Sequence, residues 1–316
     1  MIRNYIARES VEMNQQFIKC DLCPRSCKVN RVSGQSGVCG VGAKLKVARA
    51  ALHHWEETSI SGKNGSGAVF FSGCAMHCVF CQNREIANGS AGKEVSRERL
   101  VDIYLELQEK GANNINLVTP GQYVPHIVWS VEQARKQGLF IPIVYNTSSY
   151  EKVDTIKQLE GIVDVYLPDF KYWDTEVAKR YSKAPDYPEV ARKVIEEMVR
   201  QQPVPIFEYS KEQDVELIKK GVVVRQLLLP GQLKDAKRII KYLHDTYGNQ
   251  IYLSLMSQYT PLAHVVDFPE LNRKVDKRTY DRYVDYAIEI GVENGYIQEG
   301  DVAEESFIPD FNCEGV

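Results

Sequence analysis

The chain has 316 residues, 44% of them hydrophobic and 26% charged, with a formal net charge of −3. That balance suits a globular protein with a sizeable core and gives no overall pull toward nucleic acid or an anionic membrane. The apolar run from Val222 to Leu229 is interrupted by Arg225 and falls short of the ~18 residues a membrane span needs.

The opening residues Met1 to Tyr5 lack the apolar stretch of a signal peptide, so a cytoplasmic location is expected. Eight cysteines in such a chain point to metal or redox use rather than to disulfides. Two segments are expected: a cysteine-rich, metal-binding segment over 1–66, and a barrel-like domain with a C-terminal helix and tail over 67–316.

In chain order, Cys20, Cys23, Cys27 and Cys39 come first, in a segment with Gly34, Gly37 and Gly40 available for tight turns. Four thiols in this spacing suit a tetrahedral zinc or a second iron–sulfur cluster, and thiolate identity alone does not choose between them. Between Lys19 and Arg49 there are seven Lys/Arg and one acidic residue, Asp21, a charge balance that offsets a thiolate-bound metal. Residues 53–66 read as a loop. The run Ala68-Val69-Phe70-Phe71 reads as the first strand of the barrel, and Ser72-Gly73 ends it. A second thiol group follows at once, Cys74-x3-Cys78-x2-Cys81. Three thiolates on a four-iron cubane leave one iron free to bind a small molecule. The competing reading is structural zinc with His77 as the fourth ligand.

Beyond the triplet, helical and strand patterns alternate. Leu100, Ile103, Tyr104 and Leu107 recur at helical spacing, with Gly111 as a stop. Strands are expected at 114–119, 141–145, 163–167, 222–229 and 251–256. Helices are expected from Pro125 to Gly138, around 150–159, and at 190–200, 236–247 and 278–290. Such alternation implies parallel strands with right-handed crossovers. The expected class is therefore α/β, a partial (β/α)6 barrel with the cysteine-rich segment at its N-terminus. Ligands of such sheets gather at the carboxyl ends of the strands. Here those ends carry Thr119 and Gln122, Asn146 and Thr147, Asp169 and Lys171, and Tyr259, with Asn116 and Arg225 within strands. Arg225 needs either a structural ion pair or a bound anion, because a buried unpaired charge is too costly. His77 and His126 are read as structural hydrogen-bonders, the aromatics Tyr166, Tyr172, Trp173 and Tyr181 as packing, and Cys313 as a bystander.

Read together, these stretches resemble the pyruvate formate-lyase activating enzyme-like, PflX-type branch of the radical S-adenosylmethionine (SAM) superfamily. The likeness rests on Cys20-Asp21-Leu22-Cys23-Pro24-Arg25-Ser26-Cys27, on Phe70 through Asn83, on Val165 through Tyr172, on Leu228-Leu229-Pro230-Gly231 and on Met256-Ser257-Gln258-Tyr259. It implies that Cys74, Cys78 and Cys81 ligate a 4Fe-4S cluster whose open iron holds SAM. It also implies reductive cleavage of SAM to a radical that abstracts hydrogen. Lys171 would pair with the SAM carboxylate and Asp169 with its amino group or ribose, with Asn146 and Thr147 near the ribose. Asn116, Thr119, Gln122, Arg225 and Tyr259 complete the expected cofactor site. The implied partners are an electron donor such as flavodoxin or ferredoxin, and a glycyl radical enzyme or peptide substrate. The chain departs from the activases where Pro120-Gly121-Gln122 replaces their Gly-Gly-Glu, and it has no ferredoxin-like cysteines after the triplet. The alternative function is a non-catalytic, metal-carrying interaction protein on the same barrel.

Overall fold

The computed structural model describes residues 15–298 and 309–316, so Met1 to Tyr5 lie outside the described residues. Its frame is one sheet of parallel strands in the order of the chain. The parallel strands are β2 (Ser66–Phe71), β4 (Ile115–Val118), β5 (Ile143–Thr147), β6 (Val165–Pro168), β8 (Val215–Leu227), β9 (Tyr252–Met256) and β10 (Gly295–Ile297), each bonded to the next. Six of these are the expected strands. The short β10 is a seventh that extends the expected (β/α)6 count.

Two strands are antiparallel additions at the other edge. β1 (Lys46–His53) pairs with β2, and β3 (Lys93–Glu94) pairs with β1. β1 lies inside the segment expected to precede the barrel and is part of its sheet. β7 (Ile206–Ser210) folds back on the first half of β8 as a hairpin. The two ends of the strand path, β10 and β3, do not pair, so the barrel stays open.

The helices form where apolar spacing and caps agree. α1 (Arg97–Glu109) starts at Ser96, whose hydroxyl accepts from the Arg99 N–H, and buries Leu100, Ile103, Tyr104 and Leu107 against the sheet. α2 (Val124–Lys136) has Pro125 in its first turn. α3 (Thr175–Ser182) is capped by Asp174. α4 (Tyr187–Gln201), α5 (Leu233–Tyr247) and α6 (Lys277–Glu289) complete the outer layer. The expected helix at 150–159 is shorter, Val153–Lys157.

Alternation along the strands sorts side chains into two compartments. Val69, Phe71, Ile115, Leu117, Ile143, Tyr145, Tyr166, Val222 and Val224 face the helices and form the large core with them. The opposite, concave face carries two smaller apolar clusters. One contains Ala68, Phe70 and Val118, the other Val144, Val165, Leu167 and Val223. Between these clusters the concave face is polar. The described C-terminal residues return to this edge: the Cys313 N–H donates to the Ala48 carbonyl at 3.0 Å, the Ala50 N–H to the Glu314 carbonyl at 2.8 Å, and Phe311 packs on Phe70.

Candidate active site

The polar belt on the concave face centres on Arg225 of β8. Its Nε donates to Asp169 at 2.9 Å, one terminal nitrogen to Glu56 at 3.1 Å, and the other to Asn146 at 2.6 Å. The arginine expected to need an anion therefore has two carboxylates. Glu56 sits in the stretch read as a plain loop. It also accepts from Asn116 at 2.9 Å and from Asn146 at 3.4 Å. Asn116 consequently points at Glu56 and is not among the residues lining the cavity above. Asp169 continues the chain of charges to Lys171 at 2.6 Å. Backbone bonds fix this corner: the Phe170 N–H donates to the Arg225 carbonyl at 2.8 Å, and the Tyr187 hydroxyl bridges the Asp169 carbonyl and the Lys171 N–H.

Above the belt lies a cavity of about 240 Å³. Cys74, Cys78 and Cys81 line one side of it. Thr119, Asn146, Thr147, Asp169, Lys171, Arg225 and Tyr259 line it as well, with Trp55, Gln258 and Pro309. Strand β2 delivers the triplet. After Phe71, Gly73 adopts φ +91°, and a Cβ there would stand 2.7 Å from the Cys39 carbonyl, so the turn into Cys74 requires glycine.

Burial decides the charge states. Desolvation, followed by the neighbouring Cys78 thiol, pushes Cys74 up to about 11, and the same causes push Cys81 up to about 12. Cys74 and Cys81 therefore stay protonated at neutral pH, and a metal must displace those protons. Burial opposes the charged form of Lys171, but Asp169 and then Cys78 outweigh it, and the ammonium is held above its ordinary range. Burial likewise opposes ionisation of Asp169, yet Lys171 and Arg225 hold it below the usual carboxylate range. A fixed ammonium thus faces the thiols, with a fixed carboxylate beside it.

Some expected residues are turned elsewhere. Gln122 donates to the Ser72 carbonyl at 3.0 Å and to the Thr119 carbonyl at 2.8 Å, and so lies behind the cavity. It helps hold Thr119 at φ +56°, where the Thr119 N–H donates to the Asn146 carbonyl. His77 turns its ring to the Val38 carbonyl at 2.5 Å. His126 bonds the Ala43 carbonyl and stacks on Phe17. Tyr259 lines the cavity with its ring while its hydroxyl donates to the Leu271 carbonyl.

The N-terminal thiols gather directly behind the triplet. Cys20, Cys23, Cys39 and Cys74 line one small cavity of about 30 Å³ together with Glu151. The Val38 N–H donates to Cys27 Sγ at 3.4 Å, and at Gly37 a Cβ would meet that sulfur at 2.7 Å. Desolvation, with added repulsion from Cys39, Cys20 and Cys27, pushes Cys23 up to about 12. Among the described residues, no three His, Cys, Asp or Glu side chains are drawn into a single-ion site.

Residues 68–207 match the Radical SAM superfamily. That match covers less than half of the 316 residues. Radical SAM domains use a 4Fe-4S cluster and SAM. The uncharacterized protein MJ0674 of Methanocaldococcus jannaschii is 26% identical over 281 residues, covering 87% of this chain and 74% of that one. The FeFe-hydrogenase maturase HydG from Carboxydothermus hydrogenoformans superposes with a TM-score of 0.50 at 13% identity. That match covers 76% of this chain and 56% of the maturase, and shows a shared fold. A domain of a pyruvate-formate lyase-activating enzyme from Bacteroides vulgatus is also similar, at 13% identity and a TM-score of 0.41, covering 60% of this chain and all of that one. Among the described residues no helix is long and apolar enough to cross a membrane.

Proposed function

We propose that Cys74, Cys78 and Cys81 hold the 4Fe-4S cluster in this cavity, and that the remaining wall binds SAM for hydrogen abstraction from a carbon centre of the substrate. The observation that carries this reading is the convergence of the three thiols with Asp169, Lys171 and Arg225 on one cavity at the carboxyl ends of the parallel strands. The donor set fits the cofactors: soft thiols for iron, a fixed ammonium for a carboxylate, and a fixed carboxylate for an amino group or ribose hydroxyl. When bound, the cluster and SAM supply reductive carbon–sulfur cleavage and a hydrogen-abstracting radical.

The chain's own part is binding and orientation. Lys171 pairs with the SAM carboxylate while Asp169 shares its charge between Lys171 and the amino group or ribose. Asn146 and Thr147 offer hydrogen bonds to the ribose. Glu56 and Asn116 work one layer down, fixing the guanidinium of Arg225 so that Asp169 cannot swing away. Gln122 fixes the backbone of Thr119. Phe80 packs edge-on against Tyr172 and Tyr259, forming an apolar wall that limits water. The four N-terminal cysteines are a second metal site. The substrate is a glycyl radical enzyme or a peptide, an assignment that rests on the resemblance to activating enzymes, and the electron donor is of the flavodoxin or ferredoxin class.

The test is anaerobic reconstitution with iron and sulfide, reduction with dithionite, and measurement of 5′-deoxyadenosine formed from SAM. The parent is expected to release it and a Cys74→Ala, Cys78→Ala, Cys81→Ala variant is not. Equal release by both would overturn the reading. Addition of candidate peptides or a glycyl radical enzyme, followed by mass or radical detection on the partner, tests the substrate class.

A further inference from the structure

The deepest cation near the N-terminal thiols has an unusual set of partners. Arg31 is 2% exposed. Its guanidinium donates to the Gly42 carbonyl at 2.7 and 3.2 Å, to the Gln122 carbonyl at 2.7 Å and to Cys20 Sγ at 3.7 Å, and it lies over the rings of Phe17 and Tyr123. Among the described residues none of these recorded partners is a carboxylate. A buried cation needs an anion, and dipoles and ring faces only reduce the cost. Four thiolates around a metal centre carry net negative charge, and Arg31 stands where it would answer that charge.

The same loop is built onto the triplet loop. Arg25 donates to the Ala75 carbonyl at 3.0 Å and to the carbonyls of Ser182 and Lys183 at 2.9 and 2.6 Å. His77 bonds Val38, the Cys39 carbonyl packs on Gly73, and Cys74 shares its small rear cavity with Cys20, Cys23 and Cys39. The triplet therefore has two approaches. SAM and substrate fill the front cavity, and the four-thiol loop occupies the rear. A structural zinc would brace the loop without needing to abut the triplet. A redox centre there has a use, because each SAM cleavage consumes one electron and the front is blocked when the site is loaded.

We propose that Cys20, Cys23, Cys27 and Cys39 hold a second iron–sulfur cluster that passes electrons from a protein donor to the centre held by the triplet. This deepens the reading of the preceding subsection and rests on it. A reduced one-electron carrier of the flavodoxin or ferredoxin class gives up one electron to the rear centre and is itself oxidised by one. That electron moves on to the triplet's centre, and the sulfonium carbon–sulfur bond breaks to methionine and a 5′-deoxyadenosyl radical, with no proton transferred. The Arg31 and Val38 hydrogen bonds to sulfur, and the buried positive charge, are levers on the rear centre's reduction.

The full-length chain, reconstituted anaerobically with iron and sulfide, is expected to hold about eight irons and no zinc. A Cys74→Ala, Cys78→Ala, Cys81→Ala variant should keep about four irons, with an electron paramagnetic resonance (EPR) signal on reduction that SAM does not change. A Cys23→Ala, Cys27→Ala variant should keep the SAM-sensitive signal. Its rate should fall about tenfold further with reduced flavodoxin than with dithionite. If a variant fails to fold, the reduced parent alone decides, since two neighbouring paramagnets broaden each other's signals. About four irons plus one zinc in the parent, or equal losses with both reductants, would overturn the proposal. A parent with both iron signals but no SAM cleavage would instead sink the catalytic reading and leave the second cluster standing.

Discussion

Replacing Arg225 by Gln removes the guanidinium that serves a corner holding three carboxylates, Asp169, Glu56 and Glu57. Two of them accept directly from Arg225, at 2.9 and 3.1 Å, and Glu57 lies within its field. The pairs are well shielded, with side-chain exposures of 12% for Arg225, 10% for Glu56 and 21% for Asp169. Breaking a buried pair by deleting one member costs about 3–5 kcal/mol, because the surviving charge stays buried. Lys171 alone then faces three negative groups. Burial already raises Glu57 above the ordinary carboxylate range, with Arg225 opposing that rise. In Arg225→Gln the brake on that rise is gone, and Glu57 is driven further toward its protonated form. A raised folded value means that stability is restored as pH falls toward the unfolded glutamate value and is lost as pH rises. The assay is urea unfolding under anaerobic conditions at about pH 7.5 and about pH 5.5. The cost should be largest at the higher pH, and Glu56→Gln added to Arg225→Gln should return about 1–3 kcal/mol of it. A single-variant loss below about 1 kcal/mol, or strict additivity of the pair, would refute the picture of a buried charge centre.

Two further perturbations test other parts of the argument. Gly73→Ala places a Cβ against the Cys39 carbonyl at a positive φ. It should cost about 1–3 kcal/mol and lower iron uptake at both thiol groups, read by unfolding and iron assay. Burial lowers His126 to about 4, so the folded state holds it neutral. Its contribution is complete above the unfolded value near 6.5 and is lost as pH falls through about 4, up to about 3 kcal/mol in all. His126→Gln should flatten the acid limb of the stability profile over that window, and an unchanged slope would count against the burial.

The barrel was legible because its signals are local. Ala68–Phe71, Ile143–Thr147 and Val222–Leu229 are short and mostly apolar, with β-branched or aromatic residues, and each is followed by glycine, proline or polar residues. β1 was missed because Lys46 to His53 is rich in alanine and carries two basic residues, a weak strand composition whose stability comes from pairing with β2. The Asp169 and Lys171 pair was found from spacing after a strand. Glu56 was not, since nothing in its own polar stretch marks it. Its role exists only because β8 brings Arg225 opposite it. The one available signal was the demand of Arg225 itself for an anion, which says that a partner exists without saying where. Gln122 was read as facing the ligand because it follows a strand end, but the single 3-10 turn at Gly121–Tyr123 rotates it back onto the Ser72 and Thr119 carbonyls.

The bonds from Arg25 to Ser182 and Lys183 span 157 and 158 positions of chain. During synthesis at roughly 5–20 residues per second, the first thiols therefore emerge on the order of ten to thirty seconds before the surface that shelters them exists. Over that interval they are open to oxidation, to stray metals and to wrong pairing. Efficient production of loaded protein should thus depend on how reducing the medium is while ribosomes are still at work, and not only on what is supplied to the finished chain.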